Sequence, residues 1–137
     1  MPRKYDAVTL EDAKRMLSAA EAKASSFGIA YNIAVVDAGG NLVAFVRQDG
    51  ALIGSIDLAV GKALTARLFD KPTSELAKLA QPGQPLYGIQ ESNHGKVVIF
   101  GGGVPIRSGG SVVGAVGASA GTVEQDIAVV EAAIAAL

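Results

Sequence analysis

His94 is the only histidine in the chain, in the polar stretch Gln90-Glu91-Ser92-Asn93-His94-Gly95-Lys96 just ahead of an apolar run. An imidazole three residues from a carboxylate can act as general base or general acid, with Glu91 orienting the ring. It can equally ligate a metal or a haem iron. One histidine and one glutamate match no recognised metal spacing, so no metal site is expected from these two alone. The plain alternative is a solvated loop histidine. Three further charges interrupt apolar segments: Lys62, Arg67 and Asp126. Lys62 and Arg67 suit structural ion pairs or the carboxylate of a ligand. Asp126 falls in the first turn of an expected helix, where the helix dipole favours negative charge and would by itself explain it.

Two glycine-rich segments invite chemical readings. Gly117-Ala118-Ser119-Ala120-Gly121 matches the G-x-S-x-G pattern of a nucleophile elbow, even to its strand-then-helix context. The chain is far too short for an α/β-hydrolase, and its histidine precedes the serine, so that reading is rejected. Close strand-to-helix packing explains the small residues, with Ser119 expected to satisfy backbone groups near the helix start. Gly101-Gly102-Gly103 lacks the Gly-Lys-Ser/Thr of a phosphate loop and leads through Pro105 into a strand. Close backbone approach or a bulge is the expected reason, with Gly102 and Gly103 as candidate pocket floor.

The elements that must position these residues follow from periodicity and punctuation. Thr9 before Leu10-Glu11-Asp12 is an N-cap signal, and Leu10, Ala13, Leu17, Ala20, Ala24 and Phe27 recur at helical spacing up to Gly28. Ile29 to Asp37 and Leu42 to Gln48 are strand-like, with a hairpin at Ala38-Gly39-Gly40-Asn41. A second helix is expected from about Gly54 to Phe69. Its apolar residues point several ways, which suggests one face on a sheet and another on a partner subunit. Arg67 on such a helix requires a carboxylate partner or a ligand. Thr73 after Pro72 is expected to cap a short helix through Leu79, followed by a loop at Gln81–Pro85. Val97–Phe100, Val104–Arg107 and Val112–Ala118 read as short strands, the last two joined through Ser108-Gly109-Gly110. Thr122 with Gln125 is a capping box opening a final helix. An antiparallel sheet flanked by helices, an α+β arrangement within a single domain over 1–137, is the natural packing.

Composition narrows the function classes. The chain has 137 residues, half of them apolar, and a formal net charge of −1 with no basic block, which argues against nucleic acid. Without cysteine there is neither a disulfide nor thiolate chemistry. The N-terminus reads as a charged helix entry, not a signal peptide. No apolar run approaches the roughly 20 residues of a membrane span, so a cytoplasmic location is the expectation. Small side chains bury little area each, at about 25 cal/mol per Å², which favours further burial between subunits and hence a homo-oligomer.

Three blocks carry a family resemblance: Gly61-Lys62-Ala63-Leu64-Thr65-Ala66-Arg67-Leu68-Phe69; Gly102-Gly103-Val104-Pro105; and Val113-Gly114-Ala115-Val116-Gly117-Ala118-Ser119 with Glu124-Gln125-Asp126. In order and spacing they resemble the GlcG/HbpS-like family, the haem-degrading domain that includes the C-terminal domain of PduO. The resemblance implies a profilin-like fold, homo-oligomers that are often octamers, and a small-molecule ligand: a tetrapyrrole (haem or corrinoid) or an organic acid from a catabolic operon. Two departures stand out. The family's usual glycine after the serine is Ala120 here, and the N-terminal histidine that ligates haem in the PduO-type domain has no counterpart. Haem is therefore a possible cofactor but not the favoured one, and a small acid held by Lys62 or Arg67 is slightly preferred. The alternative is an enzyme, an isomerase, lactone hydrolase or lyase, with His94 and Glu91 as its acid–base pair.

Overall fold

In a computed structural model describing all of residues 1–137, four strands form one antiparallel sheet in the order β2-β1-β4-β3. The strands are β1 (Asn32–Asp37), β2 (Leu42–Arg47), β3 (Gly103–Ser108) and β4 (Ser111–Ser119). Four main helices accompany them, α1 (Leu10–Ser26), α2 (Gly54–Phe69), α3 (Thr73–Leu79) and α4 (Val123–Ala135), with short helical turns at Ile89–Glu91 and Ser92–Gly95 between α3 and β3. The expected α+β class and the two hairpins are present.

Local chemistry sets the ends of two helices. Thr9 accepts a hydrogen bond from the Asp12 N–H at 3.1 Å, while the Asp12 carboxylate accepts from the Thr9 N–H, closing a capping box. The reciprocal bond holds Asp12 below the usual carboxylate range, chiefly through the Thr9 backbone N–H. Thr122 and Gln125 form the same box at the start of α4.

Alternation along the strands divides the molecule into three layers. Ile33 and Val35 of β1, Ile106 of β3 and Val116 of β4 point towards α1 and α4, where Met16, Ala20, Val129 and Ala133 complete the larger core. Ala34, Val36 and Ala115 point the other way, onto Ala59, Ala63 and Ala66 of α2. That second layer is thin because α2 lies with its backbone almost on the strands. Gly117 and Gly103 are register partners beneath it. A Cβ on Gly117 would run into the Ala59 carbonyl and the Ala63 nitrogen, and one on Gly103 into the Lys62 carbonyl. Close approach, not turn geometry, demands glycine at both positions.

Three expectations need correction. Val97–Phe100 is not a strand. It crosses α2 as an extended strap, anchored where Thr65 Oγ1 accepts the Val98 N–H at 2.9 Å, so its apolar character reflects a helix contact. Strand β1 begins at Asn32, later than the expected Ile29. Thr73 does not cap α3; it is buried inside the first turn and binds the Gly103 N–H at 3.0 Å, joining α3 to β3.

Candidate functional site

Lys62 sits in the middle of α2 with no exposed surface, because the helix presses this position against the ends of β4 and α4. Its Nζ donates to Asp126 Oδ2 at 2.8 Å and to the Ala118 carbonyl at 3.0 Å. The other oxygen of Asp126 accepts the Tyr31 hydroxyl at 2.7 Å and the backbone N–H groups of Gly121 at 3.0 Å and Ala120 at 3.3 Å. The task expected of Ser119, holding backbone groups near the helix start, is therefore performed by Asp126. Gly102 closes the network from above: a Cβ there would lie 2.8 Å from Lys62 Nζ and 2.8 Å from the Ala118 oxygen. Burial pulls Lys62 below the ordinary lysine range, against the opposing pull of Asp126. Burial, and then the bond to Asp126, push Tyr31 well above the usual phenol value.

The structure thus brings Lys62, Gly102, Gly103 and Asp126 together, and adds Tyr31. Arg67 lies elsewhere. Its Nε donates to the Ala38 carbonyl at 2.6 Å and its Nη1 to Asp70 at 2.5 Å, pinning α2 to the β1–β2 turn. The carboxylate partner that a cation on this helix requires is Asp70.

On the outer side of α2, the strap encloses a groove of about 500 Å³. Leu58, Val60 and Leu64 form one wall and Val97, Val98, Ile99 and Phe100 the other, with Asp57 and Lys96 as the charged groups along it. Phe100 belongs to both features: it lines the groove, and Lys62 Nζ lies 4.8 Å from its ring centroid. Lys62 is fully buried and absent from the groove wall, so the Phe100 ring screens the amine from the groove. Gly95 also lines the groove, and the exposed His94 precedes it in the chain without being part of the lining. Asn93, His94 and Gly95 take φ of 53°, 58° and 72°, a full left-handed turn with two non-glycine residues in it. Such a conformation costs about 1–2 kcal/mol per residue for L-amino acids. Glu91 and His94 are exposed, and neither side chain is bonded to the other. No three His, Cys, Asp or Glu side chains gather to hold a metal ion. No helix is long and apolar enough to cross a membrane.

Residues 8–135 match the family of haem-degrading HbpS-like proteins. The chain belongs to that family. A 15.0 kDa protein from the dhaT–dhaS intergenic region of Citrobacter freundii is 45% identical over 127 residues, spanning 93% of this chain and 89% of its own. The crystal structure of Klebsiella pneumoniae protein ORFY superposes with a TM-score of 0.96 at 39% identity, covering 98% of this chain and 93% of that one. The crystal structure of a PduOC–haem complex gives 0.92 at 37% identity, covering 96% and 95%. The HbpS-like fold is thereby established for this chain.

Tyr31 and Phe100 escaped the sequence reading. Tyr31 and Asp126 are 95 positions apart, and no spacing rule connects them. Phe100 had one local signal, an aromatic closing an apolar run directly before three glycines.

Proposed function

We propose that this chain is a small-molecule-binding protein of the HbpS-like family whose ligand is a flat, largely apolar ring of the tetrapyrrole class, held between α2 and the strap. The carrying observation is the groove of about 500 Å³, apolar on both walls with charge confined to Asp57 and Lys96. Its size and lining are those of a ligand cleft. A haem-type ligand fits this donor set: Leu58, Val60, Leu64 and Phe100 for the ring faces, Lys96 for a propionate, and His94, next to the lining Gly95, as the one imidazole in the chain. Bound iron would supply the redox chemistry, and the role of the residues is to enclose the ring and exclude water. The structural likeness to a PduOC–haem complex supports the same ligand class. The small-acid reading weakens, because Lys62 and Arg67 are both engaged by protein carboxylates.

The left-handed turn at His94 keeps the enzymatic reading in play, with His94 and Glu91 acting on a bound ligand; backbone strain of this kind clusters at functional positions. The protein is further read as a single-domain, cytoplasmic homo-oligomer. Titration with haemin and with metal-free protoporphyrin tests the binding reading. His94→Ala should weaken haemin several-fold and leave the metal-free ring unaffected. Failure of both rings to bind wild-type protein would overturn it.

A further inference from the structure

Lys62 is costly to bury. Removing an ammonium and a carboxylate from water costs several kcal/mol per ion, and an apolar pair of similar volume often serves stability as well or better. Here the ammonium is placed behind one aromatic ring of a groove, beside a carboxylate that also binds a phenol. An amine, a carboxylate to move its protons and a hydroxyl on the same carboxylate form a set suited to carbonyl chemistry. We infer that Lys62 is a nucleophile that forms an imine with an aldehyde or ketone entering the groove, with Phe100 as the gate.

The strap provides the means of opening. Between Lys96 and Gly102 it belongs to no strand, and the Val98 N–H bond to Thr65 Oγ1 anchors its middle. Gly95 at φ 72° and Gly102 at φ 121° flank it. Phe100 is 39% exposed, so its ring can turn outward without leaving a packed core. Burial also lowers the lysine range, which raises the share of neutral amine at a given pH.

The step balances without a co-reactant. Lys62 ammonium passes a proton to Asp126, and the amine nitrogen attacks the carbonyl carbon while the C=O π pair moves to oxygen. That oxygen takes the proton back from Asp126 to give a carbinolamine. A second proton, from the same nitrogen and again through Asp126, converts the hydroxyl to water. As the C–O bond breaks, the nitrogen lone pair closes the C=N bond, leaving a protonated imine on Lys62. Tyr31 bonds the far oxygen of Asp126 and fixes the carboxylate during both transfers. Tyr31 is a positioning residue, since it does not reach the carbonyl.

The test uses the wild-type protein, folded and at neutral pH, with benzaldehyde as probe and cyanoborohydride to reduce any imine to a stable benzylamine. Peptide mapping by mass spectrometry then compares Lys62 with the exposed Lys78 in the same sample. Lys62 should be modified faster than Lys78, and faster again in Phe100→Ala. A Lys62 that stays unmodified in both proteins, or reacts no faster than Lys78, overturns the inference. The inference uses the groove but not the haem reading: a failed porphyrin titration with successful labelling would refute only the latter.

Discussion

Asp126→Ala removes the one carboxylate that accepts from Lys62, Tyr31 and the N–H groups of Ala120 and Gly121. Lys62 has no exposed surface and the Asp126 side chain is 5% exposed, so the ammonium would be left buried with only the Ala118 carbonyl. Removing one partner of a buried pair costs about 3–5 kcal/mol. The Tyr31 hydroxyl would also lose its acceptor, a penalty of about 1–3 kcal/mol taken alone. These terms share one carboxylate and do not sum, so about 4 kcal/mol is expected for the variant. That is a large part of the roughly 5–15 kcal/mol that stabilises a typical domain. In urea, with a slope of about 2 kcal/mol per molar, the unfolding midpoint should fall by about 2 M. Protein concentration must be held fixed, because assembly would add to apparent stability. Lys62→Met should cost a similar amount, whereas Lys62→Met with Asp126→Leu should cost less than either single change, leaving mainly the unpaired Tyr31. Losses below about 1 kcal/mol for both single variants would refute the buried-network reasoning, because that is the range of exposed ion pairs. Additive losses in the double variant would refute it as well.

Gly117→Ala should destabilise by about 3 kcal/mol or more, because its Cβ meets backbone atoms of α2 that cannot rotate away. Gly54→Ala, with nothing within 4 Å, should be nearly neutral by the same urea assay. Tyr31 should remain protonated in the folded protein well above the usual phenol value of about 10, because burial and Asp126 raise it. Its contribution is complete below that pH and is lost as pH rises through the higher folded value. Tyrosinate absorbance from Tyr31 should therefore appear together with loss of helical circular dichroism, and Tyr31→Phe should abolish that late step. Light scattering at micromolar concentration should give a mass several times the 13.8 kDa chain; a stable monomer would contradict the oligomer reading.

Legibility followed the range of the interaction. The N-cap signal at Thr9 and the box Thr122-x-x-Gln125 act over three residues and form where the sequence puts them; at Thr9, Asp12 completes a box the sequence reading did not name. The glycines of β4 and the Gly101–Gly103 step were readable as close approach, but what approaches, the backbone of α2, depends on tertiary packing. Val97–Phe100 misled because a four-residue apolar run looks alike whether a sheet or a helix covers it. Lys62 and Asp126 were recognised as conspicuous charges without being paired, since their 64-residue separation leaves no trace in spacing. The groove was the least legible feature: its two walls come from α2 and a strap that periodicity assigns to the sheet.

The central claim, that the cleft between α2 and the strap holds the ligand, is tested most directly by haemin titration of three proteins followed in the Soret region. Wild-type protein should bind saturably. Leu58→Glu, which places a charge on the groove wall, should weaken binding by at least about tenfold, since burying an unpaired charge costs well over 1.4 kcal/mol. Arg67→Gln, away from the groove wall, should bind as wild type does. Equal affinity in wild type and Leu58→Glu, or a loss confined to Arg67→Gln, would contradict the account.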